Sequence, residues 1–134
     1  MEFRENEAIY LQIAAYAAEN ITLGRWPADQ KIPSVRELAV ELQVNPNTVV
    51  RSYEFLQSKG VIANKRGIGF FIEPDAGDKI RLYSKERFLG EALPEFFRNV
   101  YLLSISMEEI TSRYEQFIAA HYQHNKIDPG KGLV

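Results

Sequence analysis

The chain has 134 residues, of which 46% are hydrophobic and 25% charged, with a net charge of −2 and no cysteine. This size and balance give one ordinary soluble domain, or a small domain with an appendage. They exclude several classes: no apolar run approaches the ~18–20 residues of a membrane span, the opening MEFRENEAIY is too acidic and polar for a secretory signal, and neither a disulfide framework nor a thiolate metal site can form, all of which fits a cytoplasmic protein.

The first predicted helix covers residues 8–23. Ile9, Ile13, Tyr16 and Ala17 recur at helical spacing, and Leu11, Ala14, Ala18 and Ile21 widen the apolar face. Gly24 and Pro27 stop it, leaving residues 25–33 as a loop with Trp26 as a core plug. Ser34 and Glu37 form an S-x-x-E capping box that opens a second helix to about Leu42, with Val35, Leu38, Ala39 and Leu42 inward. After a turn at Gln43 and Val44, Asn45 caps a third helix. Pro46 takes its first position, where a missing N–H costs nothing. This helix turns Val49, Tyr53 and Leu56 inward, runs to about Ser58 and ends at Gly60.

Two short strands, 61–64 and 68–72, flank the basic tip Lys65-Arg66-Gly67, where Gly67 and Gly69 permit a tight hairpin. Pro74, Asp75 and Gly77 read as a linker. A fourth helix is expected over residues 84–103. Phe88, Ala92, Phe96 and Val100 recur every four residues, with Leu89, Leu93, Phe97 and Tyr101 in the neighbouring row. Pro94 predicts a kink or break near Ala92 and Leu93. Ser106 and Glu109 form a second capping box, for a fifth helix carrying Ile110, Tyr114, Phe117 and Ile118. Residues 126–134, with Pro129, Gly130 and Gly132, read as a frayed end.

Helix, tight turn, helix and glycine-tipped hairpin, in that order over residues 31–71, predict a winged helix-turn-helix. The expected fold is mainly α with a small β-hairpin wing. Residues 1–74 form the DNA-binding domain, and residues 75–134 a short helical dimerisation tail. Two helices cannot bury so wide a stripe alone. Phe88, Leu89, Ala92, Leu93, Phe96, Phe97, Val100 and Tyr101 are therefore the expected homodimer interface, intramolecular packing being the other solution.

The acidic total does not decide against DNA. From Arg25 to Ile72 there are seven basic residues and four acidic ones, so that stretch carries +3 and the remainder −5. Phosphate binding follows the local face. Arg36, on the helix that crosses above the recognition helix, can reach a phosphate or a base edge, or pair with Glu37 or Glu41. Asn45, Asn47, Thr48, Arg51 and Ser52 cluster where the recognition helix enters the groove. There Asn suits adenine, Arg suits guanine, and Ser or Thr suits phosphate. Asn45 also has its cap to form, and Tyr53 reads as a core residue, with its hydroxyl the one part that could reach a phosphate. Lys65, Arg66 and Gly67 place a basic wing tip against the minor groove or backbone, or form a charged, solubilising turn.

The phrases KIPSVRELA, VNPNTVVRSYEFL and KRGIGFFI, preceded by GRWPADQKIPS, resemble the DNA-binding domain of the GntR family of bacterial transcription regulators. The resemblance covers about half of the chain. The N-P-N-T-V run at 45–49 and the short two-helix tail resemble the YtrA subfamily. That resemblance implies dimerisation through the tail and repression of operons that commonly include membrane transporters. It also implies a DNA-facing set of Arg36, Asn47, Thr48, Arg51 and Lys65 to Gly67. Other GntR subgroups place the recognition-helix arginine one residue earlier, at Val50 here, so their base contacts do not carry over.

The expected function is thus a dimeric, sequence-specific repressor that reads an inverted repeat in double-stranded DNA. The alternative is a winged helix kept as a protein-interaction module, which the acidic total favours and the basic wing disfavours. No nucleophile–base pair, phosphate loop or paired carboxylates suggest an enzyme. His121 and His124, with Glu115 or Asp128, make at most a weak metal site, so no metal and no cofactor are expected. The tail is too small for a roomy pocket. A small-molecule effector would have to sit between tail and head, or at a dimer seam lined by Phe96, Phe97 and Tyr101.

Overall fold

The computed structural model describes residues 1–122. His124, Asp128 and the expected frayed end at 126–134 lie outside the described residues. The chain divides into two compact units, Met1–Ile80 and Arg81–Val134.

In the first unit, α1 (Ile9–Thr22) turns Ile13, Ala14 and Ala17 into the core and leaves Ile9 exposed. Its start is held by Gln12, whose side chain accepts from the Arg4 N–H and donates to the Arg4 and Glu7 carbonyls, each at 2.8 Å. The chain then runs beside the hairpin. Asp29 N–H donates to Ile72 O, Ile72 N–H to Gln30 O and Ile32 N–H to Phe70 O. Residues 29–32, expected as loop, therefore extend the wing, because the edge of a two-stranded ribbon has unpaired amides to satisfy.

Helix α2 (Val35–Leu42) opens with the expected capping box: Ser34 Oγ accepts the Glu37 N–H at 3.1 Å, and Glu37 Oε1 accepts the Ser34 N–H at 2.8 Å. Such a cap is worth about 0.5–2 kcal/mol. Gln43 takes the left-handed conformation that reverses the chain, and Asn45 Oδ1 then accepts the Asn47 N–H at 2.8 Å to start α3 (Pro46–Ser58). The turn is thus built by αL geometry and a side-chain cap. Val49, Tyr53 and Leu56 of α3 pack on Leu38, Ala39 and Leu42 of α2 within the common core.

Strands β1 (Ile62–Lys65) and β2 (Gly69–Ile72) pair antiparallel, Ile62 opposite Ile72 and Lys65 opposite Gly69. The tip is Arg66-Gly67-Ile68, with Gly67 at φ +80°. Open space surrounds that glycine, so the backbone angle and not crowding calls for it.

The expected linker is helical instead. Helix α4 (Ala76–Arg87) begins two residues after Pro74 and contains Gly77. Ala76 and Ile80 are buried with the head, and Lys79 pairs with Asp75 at 3.3 Å. Burial of two apolar side chains outweighs the roughly 1 kcal/mol that a helical glycine costs. The first compact unit accordingly runs on to Ile80, six residues past the expected boundary.

In the second unit the helix expected from Ser84 is already under way in α4. It is followed by a π-helical turn (Phe88–Ala92) and α5 (Leu93–Leu102), and α6 (Met107–Tyr122) comes after a turn at Ser104. Pro94 does not break the helix into non-helical residues. The Leu93 N–H reaches five residues back to Phe88 O. This wider turn relieves the clash that a proline makes with the carbonyl four residues before it. Ser106 Oγ accepts the Glu109 N–H at 3.1 Å and caps α6. No residue of α5 or α6 is buried.

Candidate nucleic-acid interface

The first turn of α3 is its polar end. Asn45, Asn47 and Arg51 are exposed and Thr48 is half-buried, while Val49, Tyr53 and Leu56 hold the opposite face in the core. Asn45, Asn47, Thr48 and Arg51 line one open groove together with Ala8, Ile9 and Tyr10 from the start of α1. The Asn45 side-chain oxygen is engaged by its cap, which limits the bidentate pairing open to it. Arg51 lays its guanidinium over the Tyr10 ring, 3.9 Å from the centroid.

Ser52 belongs elsewhere. It is fully buried, and its hydroxyl lies 2.7 Å from the Tyr10 carbonyl and 3.1 Å from that of Thr48, both acceptors for its one proton. A serine at this position falls on the inner face of α3, so it ties α3 to α1 and drops out of the DNA-facing set. The hydroxyl of Tyr53 is likewise withdrawn from any phosphate. It donates to Pro33 O at 2.7 Å, and burial, then Glu37 and Glu41, keep it neutral far above the ordinary tyrosine range.

A second groove lies on the other side of the α3 start, lined by Lys31, Ser34, Val35, Arg36, Pro46, Ile68, Gly69 and Phe70. Arg36 is exposed at its wall. Glu37, one of its candidate partners, is held by the Ser34 N–H, which with the Ser34 side chain and Lys31 keeps its carboxyl below the ordinary value. On the wing, Arg66 is exposed at the tip and Lys65 lies over the Phe71 ring at 4.2 Å.

Two residues of these grooves escape the sequence reading. Lys31 pairs across to Phe71, and its stem crosses Gly69 so closely that a Cβ there would meet it at 2.8 Å. Only the pairing of residues 29–32 with the wing brings it into one groove with Arg36. Tyr10 is far from α3 in sequence, and no periodicity within α1 links it to Arg51. Among the described residues, no group of three His, Asp or Glu side chains could hold a metal ion, and no helix is long and apolar enough to cross a membrane.

Two helices joined by a left-handed turn, a recognition helix with a polar first turn and a basic hairpin beside it define a winged helix-turn-helix DNA-binding protein. Comparison with known proteins narrows this. The model of the family described as bacterial regulatory proteins, gntR family, matches residues 9–72. The chain is 32% identical to YhcF, an HTH-type transcriptional regulator of Bacillus subtilis, over 87% of this chain and 94% of YhcF. It is 31% identical to the HTH-type transcriptional repressor YtrA of the same organism, over 80% and 82% of the two chains. A crystal structure of a GntR-family protein from Bacteroides thetaiotaomicron is 51% identical and superposes with a TM-score of 0.75, covering 84% of this chain and 98% of that one. The chain belongs to the GntR family of transcription regulators, with a short tail like that of YtrA. These relatives are DNA-binding regulators and not enzymes.

Proposed function

We propose that this protein is a homodimeric, cytoplasmic repressor that occupies an inverted repeat in the promoter of an operon. The observation that carries this reading is the polar, exposed first turn of α3 set between two open grooves with a basic wing at one side. In this reading α3 enters the major groove, where Asn47 and Arg51 meet base edges and Thr48 meets a phosphate. Arg36 and Lys31 contact the backbone along the second groove, and Lys65, Arg66 and Gly67 bring the wing to the adjacent backbone or minor groove. The likeness to the repressor YtrA supports the sign of regulation.

The head from residue 1 to about 74–80 is the DNA-binding part, and the remainder pairs two copies. The support for pairing is energetic. Phe88, Leu89, Phe96, Phe97 and Tyr101 are all exposed in the single chain, Tyr101 to 83%. Covering such side chains is worth about 1.5–3 kcal/mol each. A DNA-binding stretch, residues 25–72, with only +3 of charge also gains affinity when two copies bind one duplex.

Fluorescence anisotropy tests this with the promoter of the protein's own operon and a scrambled duplex, titrated across a salt series. The expected result is tight, salt-sensitive binding that prefers the promoter, with two protomers per duplex. Equal weak binding to both duplexes would overturn the sequence-specific reading.

A further inference from the structure

The Tyr10 ring is held on several sides. Its carbonyl accepts from buried Ser52, its ring makes an edge-to-face pair with Phe55 with centroids 6.3 Å apart at 75°, and Gln12 fixes the turn that precedes α1. The Arg51 guanidinium lies over a face of the ring, 3.9 Å from its centroid. We infer that Tyr10 is a positioning residue for sequence readout, its ring face holding the Arg51 guanidinium at the groove beside the start of α3. This rests on the proposed role of Arg51 as a base reader.

A stacked guanidinium uses its π face and keeps its N–H donors, which lie in the plane, for a base edge. Bidentate pairing with guanine needs that plane fixed. An arginine on a free stem would have to be ordered on binding, and Tyr10 orders it beforehand. The same stack keeps α1 in register with the recognition helix, so the N-terminal segment contributes to specificity without touching a base.

The probe is a 30-base-pair duplex enriched by the wild-type protein from a randomised pool, together with its single-base variants. Arg51→Ala should flatten preference at one position per half-site. Tyr10→Leu should flatten the same position, lower affinity for the enriched duplex about three- to tenfold and leave the salt slope unchanged. Tyr10→Phe should stay within about twofold, since the ring face remains. Tyr10→Leu added to Arg51→Ala should change nothing further. Pentafluorophenylalanine at position 10 keeps the ring shape but inverts its quadrupole, so it should reproduce the loss even if the leucine variant is poorly folded. A loss uniform across all sequences and additive with Arg51→Ala would make the ring merely structural and overturn the inference. So would full affinity and selectivity in the fluorinated protein. Unchanged base preference in Arg51→Ala would instead refute the reader role of Arg51 itself, and the inference with it.

Discussion

Residues 1–80 and residues 81–122 are both rich in large apolar side chains but dispose of them in opposite ways. Among the described residues, all fifteen buried hydrophobic residues lie at or before Ile80, whereas twelve of the eighteen exposed large hydrophobics lie beyond it. In the first unit the interior is also satisfied in polar terms. Gln12, Asn20 and Ser52 are buried, yet no buried side-chain polar atom lacks a partner among the described residues. The second unit is helical by local means, through caps and through exposed pairs such as Glu109 with Arg113 at 3.0 Å. Local terms of a few tenths of a kcal/mol each add little to helices that bury no side chain, as α5 and α6 bury none. The first unit therefore carries its stability within one chain, whereas in the proposed dimer the second obtains it from a partner surface.

The sharpest way to break that contrast is to open the head. Leu38 is fully buried, so Leu38→Ala should cost about 2–5 kcal/mol in urea unfolding monitored by circular dichroism. A loss below about 1 kcal/mol would mean the head core is much looser than its burial indicates. In the tail, Phe97→Ser with Tyr101→Ser should leave the head transition in place. It should weaken self-association by about 1.5–3 kcal/mol per side chain withdrawn, in sedimentation equilibrium. Unchanged association would remove this face from the proposed dimer. Tyr53→Phe should cost about 1–2 kcal/mol, because Pro33 O loses its donor, without altering the salt dependence of DNA binding. A changed salt slope would return the hydroxyl to the phosphate-contacting set.

The smallest expected effect is a pH dependence. The Ser34 N–H holds the Glu37 carboxyl below its ordinary value of 4.5. A depressed carboxylate stabilises the fold above that ordinary value, and the contribution is lost as pH falls through the lower, folded-state value. The wild type should therefore melt above Glu37→Gln at pH 6–7, with the gap narrowing as pH drops below 4.5. A gap that widened with acid would reverse the assigned sign.

Signals carried by one or two neighbouring residues were legible in the sequence. Ser34 with Glu37, Asn45 with Pro46, and Gly67 at the wing tip each specify their backbone locally, and these fix the helix-turn-helix and the hairpin. Features made by distant residues were not. Pro74 and Gly77 read as a linker because only the packed head shows that Ala76 and Ile80 have somewhere to be buried. Residues 29–32 read as loop because their partners lie forty residues on, in β2. Ser52 looked like a groove residue by type, and its position on the inner face of α3 decided otherwise. Tyr10 carried no signal until α1 and α3 were side by side.

The π-helical turn at Phe88–Ala92 has a geometric consequence for the exposed face. In an undistorted helix a residue eight places on is displaced by about 80° around the axis. A π turn takes up one extra residue, so Phe88 and Phe96 acquire the phase of residues seven apart, about 20° from alignment. Leu89 and Phe97 are brought together in the same way. An additional residue has been absorbed next to Pro94 without rotating the aromatic side chains of α5 away from the meridian that Phe88 and Leu89 begin.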